Sequence, residues 1–183
     1  LYSVHQFATL LGVSRTPIRE ALLLLSQQEI LVMDRNRGFR VQPHTSSDLA
    51  EIIGIRRLLE VPAMEKLAIV RPTPVDALES AREIYEELQN AADSGDLLRF
   101  LALDRRFHLA LIDGLGNGRL TRLVGELRDQ TQLPGIKRIT ERGNLHALGP
   151  EHLTLLQAVE TGNAELASST MMAHLDRTQA DWA

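Results

Sequence analysis

From Asp48 to the end of the chain no stretch alternates apolar and polar residues as a strand requires. Apolar positions recur instead at intervals of three and four, the period of a helix with one buried face. That restricts the larger part of the chain to helices packed on helices. Proline, glycine and capping residues divide it. A first helix is expected from Asp48 to about Val70, bent at Pro62, where the ring removes one backbone hydrogen bond and crowds the preceding turn. Thr73 caps a second, with Pro74 at its first position and Asp76 in its first turn, and Gly95 ends it. Asp96 caps a third that runs to about Asp113. A short fourth covers roughly Arg119 to Thr131, and a less regular stretch with Pro134, Gly135 and Gly143 follows. Two more helices run from Pro150 to Thr161 and from Asn163 to about Ala180. Six helices in an antiparallel bundle are the expectation, so the fold class is mainly α.

The first 44 residues read differently. Val4 to Leu11 is a short amphipathic helix ended by Gly12, and a second runs from about Arg15 to Gln28, opened by Ser14 or Thr16 with Pro17 in its first turn. Ile30 to Met33 is β-prone, Asp34 to Gly38 is a polar turn, and Phe39, Arg40 and Val41 alternate as a strand does. The pattern predicts a helix-turn-helix followed by a β-hairpin. Residues 43–47 (Pro, His, Thr, Ser, Ser) then break it, which sets the expected domains at 1–44 and 45–183. The chain also starts at Leu1 without an initiator Met, inside a helical pattern, so residues upstream are expected.

Charge divides the same way. The whole chain carries −4, which argues against a protein that simply coats nucleic acid, but residues 1–44 have five arginines against Glu20, Glu29 and Asp34. A head of +2 therefore sits on a body of −6. Cysteine is absent, which removes disulfides, thiolate metal sites and cysteine nucleophiles together, so any metal must sit on histidine and carboxylate. The longest aliphatic run, Ala21 to Leu25, is far too short to span a bilayer, and no basic stretch followed by an apolar core opens the chain. No membrane partner is expected, and a cytoplasmic location is.

A helix-turn-helix reads DNA because its second helix enters the major groove with its N-terminal residues facing base edges. That turn offers Arg15, Thr16 and Arg19, the two arginines one turn apart on one face, while Ile18, Leu22 and Leu25 can face a small core. The hairpin tip carries Arg35 and Arg37 beside Gly38, where bare backbone can approach phosphates or enter the minor groove. The blander alternative, a small helical subdomain with a solvated charged face, leaves the coincidence of turn, arginines and basic wing unexplained. Residues 12–22, GVSRTPIREAL, resemble the helix-turn-helix signature of the GntR family of bacterial transcription regulators. The resemblance implies that Arg15, Thr16 and Arg19 contact operator DNA, that Arg37, Gly38 and Phe39 form the wing, and that this winged helix-turn-helix is truncated, its first helix lying before residue 1.

Polar residues interrupt the apolar stripes of the body. In the third body helix Leu97, Leu101, Asp104, His108, Leu111 and Leu115 follow three-and-four spacing. His152 shares a face with Leu155, Leu156 and Val159, and His174 with Ala167, Met171 and Thr178. Each histidine alone reads as a hydrogen-bonded core residue. Four ligand-type side chains pointing inward from three helices read instead as a divalent-metal site, since burying them unpaired is costly and one ion offsets the desolvation of all four. Imidazole plus carboxylate suits zinc first, then nickel, iron or manganese, and not calcium. His5, His44 and His146 fall outside the pattern and read as surface residues.

The run Asp104, Phe107, His108, Gly116, Asn117, the pair Glu151, His152, and His174, Leu175 are similar to the ligand-binding FCD domain of the FadR subfamily of GntR regulators. In metal-binding members an Asp and three His hold the ion, which implies the set Asp104, His108, His152 and His174. The resemblance further implies a small carboxylate effector beside the metal, with a basic side chain near it; Arg56 is the candidate. It also implies a cytoplasmic, bacterial, nucleoid-associated homodimer on near-palindromic operator DNA, with Pro62 or the linker at residues 43–47 able to carry motion between heads and bundles.

Two other readings compete. A metal-dependent hydrolase would use the same Asp/His site to activate water. Against it, His108, His152 and His174 are each followed by Leu rather than Asp, and no HExxH is present. Gly114, Gly116 and Gly118 lack GxGxxG spacing and follow a helix, so they read as a helix end and turn. A purely structural metal in an interaction module keeps the ligands but predicts no response to a small molecule.

Overall fold

The computed structural model describes residues 1–34, 37–142, 145 and 149–180, with the side chains of residues 132–135, 137–139, 141 and 142 outside that description. The chain divides into two compact units, Leu1–Thr45 and Ser46–Ala183.

In the first unit, helix α1 (Val4–Leu11) is opened by Ser3, whose hydroxyl accepts from the His5 N–H. It is closed by Gly12 at φ +66°, a left-handed position that glycine takes without steric cost. Helix α2 (Arg15–Gln27) follows after Val13 and Ser14. Strands β1 (Leu31–Asp34) and β2 (Gly38–Val41) then pair antiparallel, Leu31 opposite Val41 and Asp34 opposite Gly38. The core is small: Ala8, Ile18, Leu22, Leu31 and Phe39, with Phe7 and Leu25 packed against it. At about 1.5–3 kcal/mol for each large apolar side chain fully buried, so short an inventory leaves a thin margin over chain entropy. The backbone of Tyr2 adds to it, because its N–H donates to the Phe39 carbonyl (2.7 Å) and its carbonyl accepts from the Phe39 N–H (2.9 Å).

The second unit holds six helices among the described residues. They are α3 (Ser46–Ile69), α4 (Val75–Asp93), α5 (Leu97–Asp113), α6 (Gly118–Arg142), α7 (Pro150–Glu160) and α8 (Ala164–Ala180). Helix α3 runs without interruption through Pro62. Asp96 caps α5 by accepting from the Arg99 N–H, and Asn163 caps α8 by accepting from the Leu166 N–H. The expected short fourth helix is corrected: α6 continues past Thr131 and through Pro134 and Gly135 to Arg142. An interior proline deletes one donor, and a helix of 25 residues retains enough other bonds to absorb the loss. The three glycines after α5 belong to a helix end and turn, since Gly114 caps α5, Gly116 takes φ +67° and Gly118 opens α6. Helix α3 packs on α5, α6, α7 and α8, and α4 on α5 and α7. The shared core includes Ile53, Met64, Leu67, Leu88, Phe100, Phe107, Leu111, Leu155, Leu156, Met171 and Leu175. No helix of the described residues is long and apolar enough to cross a membrane.

Gly38 combines φ +118° with the closest backbone approach in the head: a Cβ built there would stand 1.9 Å from the Tyr2 carbonyl oxygen. Both strain and collision forbid a side chain. Gly38→Ala is therefore expected to destabilise the first unit by at least about 1–3 kcal/mol, read as a lowered thermal midpoint with loss of Tyr2 packing. An unchanged midpoint would contradict this packing.

Candidate functional site

Three helices of the body send titratable side chains into one place. Asp104 and His108 stand one turn apart on α5, His152 lies in the first turn of α7, and His174 sits on α8. The sequence permits this because each replaces an apolar residue on a buried stripe. Phe100, Leu103, Phe107 and Leu111 flank the α5 pair, Leu155, Leu156 and Val159 continue from His152, and Ala167 and Met171 lead to His174. His108 and His152 are 1% exposed and His174 is 9% exposed. One ligand-type nitrogen from each lies within 4.8 Å of the others. Asp104 Oδ1 is 2.9 Å from His152 Nε2 and 3.8 Å from His108 Nε2. Phe107 presents its ring near-perpendicular to both His108 and His152, excluding water from that side.

His108 is the anomaly of the group. Neither of its ring nitrogens has a hydrogen-bond partner among the described residues, and a buried unpaired nitrogen costs about 1–3 kcal/mol. Burial, with the positive charge of Arg128 and the neighbouring His174 and His152, holds it well below the usual histidine range, so its ring is neutral and its lone pair is available. A neutral imidazole with no hydrogen-bond partner among the described residues, beside two more imidazoles and a carboxylate, fits a borderline divalent cation. Burial alone would raise the Asp104 carboxyl. The hydrogen bond from His152 and the charge of Arg128 outweigh it and keep the group ionised.

A second buried network touches the first. Glu60 is 0% exposed and lies between two guanidiniums. Arg56 Nε donates to Glu60 Oε1 at 2.6 Å, and Arg128 donates to Glu60 Oε2 through both Nε (3.0 Å) and Nη2. Arg56 also donates to Thr131 at 3.1 Å, and Arg128 Nη1 donates to Asp104 Oδ2 at 3.2 Å. Burial pushes the Glu60 carboxyl up, and the charges of Arg128 and Arg56 pull it further down, for a net value below the usual carboxylate range. Burial lowers the Arg56 guanidinium, opposed chiefly by Glu60. Arg56, the expected effector residue, is thus buried and held by Glu60 and Thr131; the arginine in contact with the Asp104/histidine cluster is Arg128. Sequence reasoning passed over Glu60, Arg128 and Thr131. A signal existed for each, because Arg56 and Glu60 share a stripe with Ile53 and Met64, and Arg128 and Thr131 share one with Val124 and Leu127.

In the first unit, Arg15, Thr16 and Arg19 are exposed along the start of α2, with Ile18 and Leu22 turned into the core. Arg37 is exposed at the hairpin, next to Gly38. Arg35 lies outside the described residues, as does His146. His5 is exposed and His44 half-buried.

Residues 51–177 match the FCD domain family, and residues 3–41 match the bacterial regulatory proteins of the gntR family. An HTH-type transcriptional regulator of Bacillus subtilis, YdhC, is 30% identical over 172 residues, which cover 93% of this chain and 76% of that one. LutR, a second HTH-type regulator of the same organism, is 27% identical over 199 residues, covering 98% and 89%. The solved structure of Escherichia coli McbR/YncC superimposes with a TM-score of 0.82 at 26% identity, across 97% of this chain and 84% of that one. The hydrolase reading finds no counterpart among these regulators.

The Glu60 network yields a stability test. Glu60→Gln leaves two buried guanidiniums facing a neutral amide, so urea unfolding at neutral pH should show a loss of about 3–5 kcal/mol. A group whose folded value is depressed stabilises above its unfolded value, near 4.5, and loses that stabilisation as pH falls through the folded one. The variant's stability should accordingly fall less steeply than the native protein's on the acid side. A loss under about 1 kcal/mol would mean the guanidiniums are not balanced by Glu60.

Proposed function

Because the chain belongs to the GntR family of bacterial transcription regulators and carries the FCD domain of its FadR-type members, we propose that it is a metabolite-responsive, DNA-binding homodimer. Its helical body holds a divalent metal on Asp104, His108, His152 and His174 and a small carboxylate effector beside it. The observation that carries this reading is the cluster of three imidazoles within 4.8 Å, one of them without any hydrogen-bond partner among the described residues. Zinc suits the donor set best, with nickel, iron and manganese as alternatives. Once bound, the ion supplies positive charge and open coordination positions for an oxygen ligand.

Charge supports the carboxylate. Arg56 and Arg128 already balance Glu60 and Asp104, so a divalent ion leaves an excess of positive charge in a desolvated site, which a small anion relieves. Arg128, in contact with Asp104, is the nearer cationic group for the effector, and Arg56 stands behind it across Glu60.

At the other end of the chain, Arg15, Thr16 and Arg19 face base edges in the major groove, and Arg35, Arg37 and Gly38 form the wing against the backbone or minor groove. Two heads on a two-fold axis read a near-palindromic operator in the bacterial cytoplasm, with half-sites about 10 to 10.5 base pairs apart or a multiple of that. The effector acts by its differential affinity for DNA-competent and incompetent arrangements.

The test is the affinity of the protein for DNA upstream of its own gene, across a salt series and then with zinc and a panel of small carboxylates. Salt-dependent, sequence-specific binding that one acid alters is expected, and absence of specific binding at low salt would overturn the reading. Arg15→Ala and Arg19→Ala should each cost about 1–3 kcal/mol and relax base preference, whereas Arg37→Ala should chiefly reduce the salt slope. His108→Ala should lower zinc content and thermal stability together, since an ion that binds only the folded state stabilises it by mass action. Sedimentation as a monomer at the concentrations used for DNA binding would sink the palindrome.

A further inference from the structure

Helix α7 grips the cluster with two consecutive residues. Successive side chains on a helix diverge by about 100°, and here His152 turns toward Asp104 while Glu151 turns toward α8. Glu151 is engaged at both oxygens in different ways: Oε1 lies 2.8 Å from His174 Nδ1, and Oε2, which has no hydrogen-bond partner among the described residues, makes an ion pair with the Arg177 guanidinium, one turn further along α8. Its side chain is 11% exposed, so the contact with His174 is largely shielded from water.

A carboxylate can only accept a hydrogen bond. The His174 nitrogen facing it, Nδ1, therefore carries a proton, which leaves Nε2 as the nitrogen whose lone pair a metal can take. We infer that Glu151, clamped by Arg177, is a positioning residue that fixes the tautomer and ring orientation of His174 so that Nε2 is presented as a metal-ligand atom. This rests on the metal reading above. The chemistry is general: a histidine that gives its second N–H to a carboxylate is both oriented and made more basic at its other nitrogen, and loss of such a partner weakens metal binding by about 10- to 100-fold. His108 provides the contrast within the same cluster, since neither of its nitrogens is engaged by a hydrogen bond among the described residues.

The experiment uses the whole chain with zinc as the probe, titrated in competition with a chromophoric chelator, and two variants. Glu151→Leu removes charge and acceptor; Glu151→Gln keeps an acceptor oxygen of the same reach and guards against a variant that fails to fold. Glu151→Leu should bind zinc about 10- to 100-fold more weakly than the native protein, and Glu151→Gln should fall between the two. In the zinc-free protein, nitrogen-15 NMR of the imidazoles supplies a signature that general destabilisation does not produce. His174 should carry its proton on Nδ1 in the native chain and distribute it over both nitrogens in Glu151→Leu. Variants that bind zinc as tightly as the native protein, or an unchanged His174 tautomer in Glu151→Leu, would overturn the inference and leave the metal reading standing. A native protein that takes up no zinc would overturn both.

Discussion

A single carboxylate that has no route to water organises the body of this protein. Glu60, on α3, is contacted by a guanidinium from its own helix and by another from α6, and it tolerates burial only because both are present. Arg128, placed by that contact, reaches on to Asp104 of α5, and Asp104 in turn meets His152 of α7. A chain of charge-assisted hydrogen bonds thus runs from the middle of one helix through three others. Each link is expensive to break in a desolvated interior, because the partner left behind is a bare charge. The histidine cluster therefore sits on a rigid base.

Much of this was legible because helical periodicity carries both structure and chemistry. A polar residue on an apolar stripe is conspicuous, and that reasoning singled out Asp104, His108, His152 and His174 from three separate helices. It stopped short of Glu60 and Arg128 for a physical reason: arginine and glutamate have long apolar stems and usually carry their charge out to solvent from such positions, so their place on a stripe is a weaker signal than a histidine's. Local punctuation served well where one residue decides the outcome, as with Gly12 and Asp96. It misled at Pro134, where the length of α6 outweighs one missing bond. Contacts distant in sequence were legible only where a polar residue interrupted an apolar stripe. Gly38 reads as bare backbone open to a phosphate, whereas its missing side chain is first required by the carbonyl of Tyr2. Arg35 and His146 fall outside the described residues.

The two units solve different problems with the same chain. The body buries large side chains from six helices, a surplus that can absorb a charged network at its centre. The head has few apolar residues to bury and stakes its stability on tight local geometry: a glycine helix end, a glycine pressed against the Tyr2 carbonyl, and an aromatic group of Tyr2, Phe7 and Phe39 with centroids 5.1–5.9 Å apart.

The pairing of Tyr2 with Phe39 also bears on how such heads behave when crowded together. A two-stranded hairpin has two free edges, and each is a template on which another chain can add a strand. Here the N–H and carbonyl of Phe39 on the outer side of β2 are already taken by Tyr2. That edge is closed at its midpoint by its own polypeptide, so a neighbouring copy finds no continuous ladder to extend along β2.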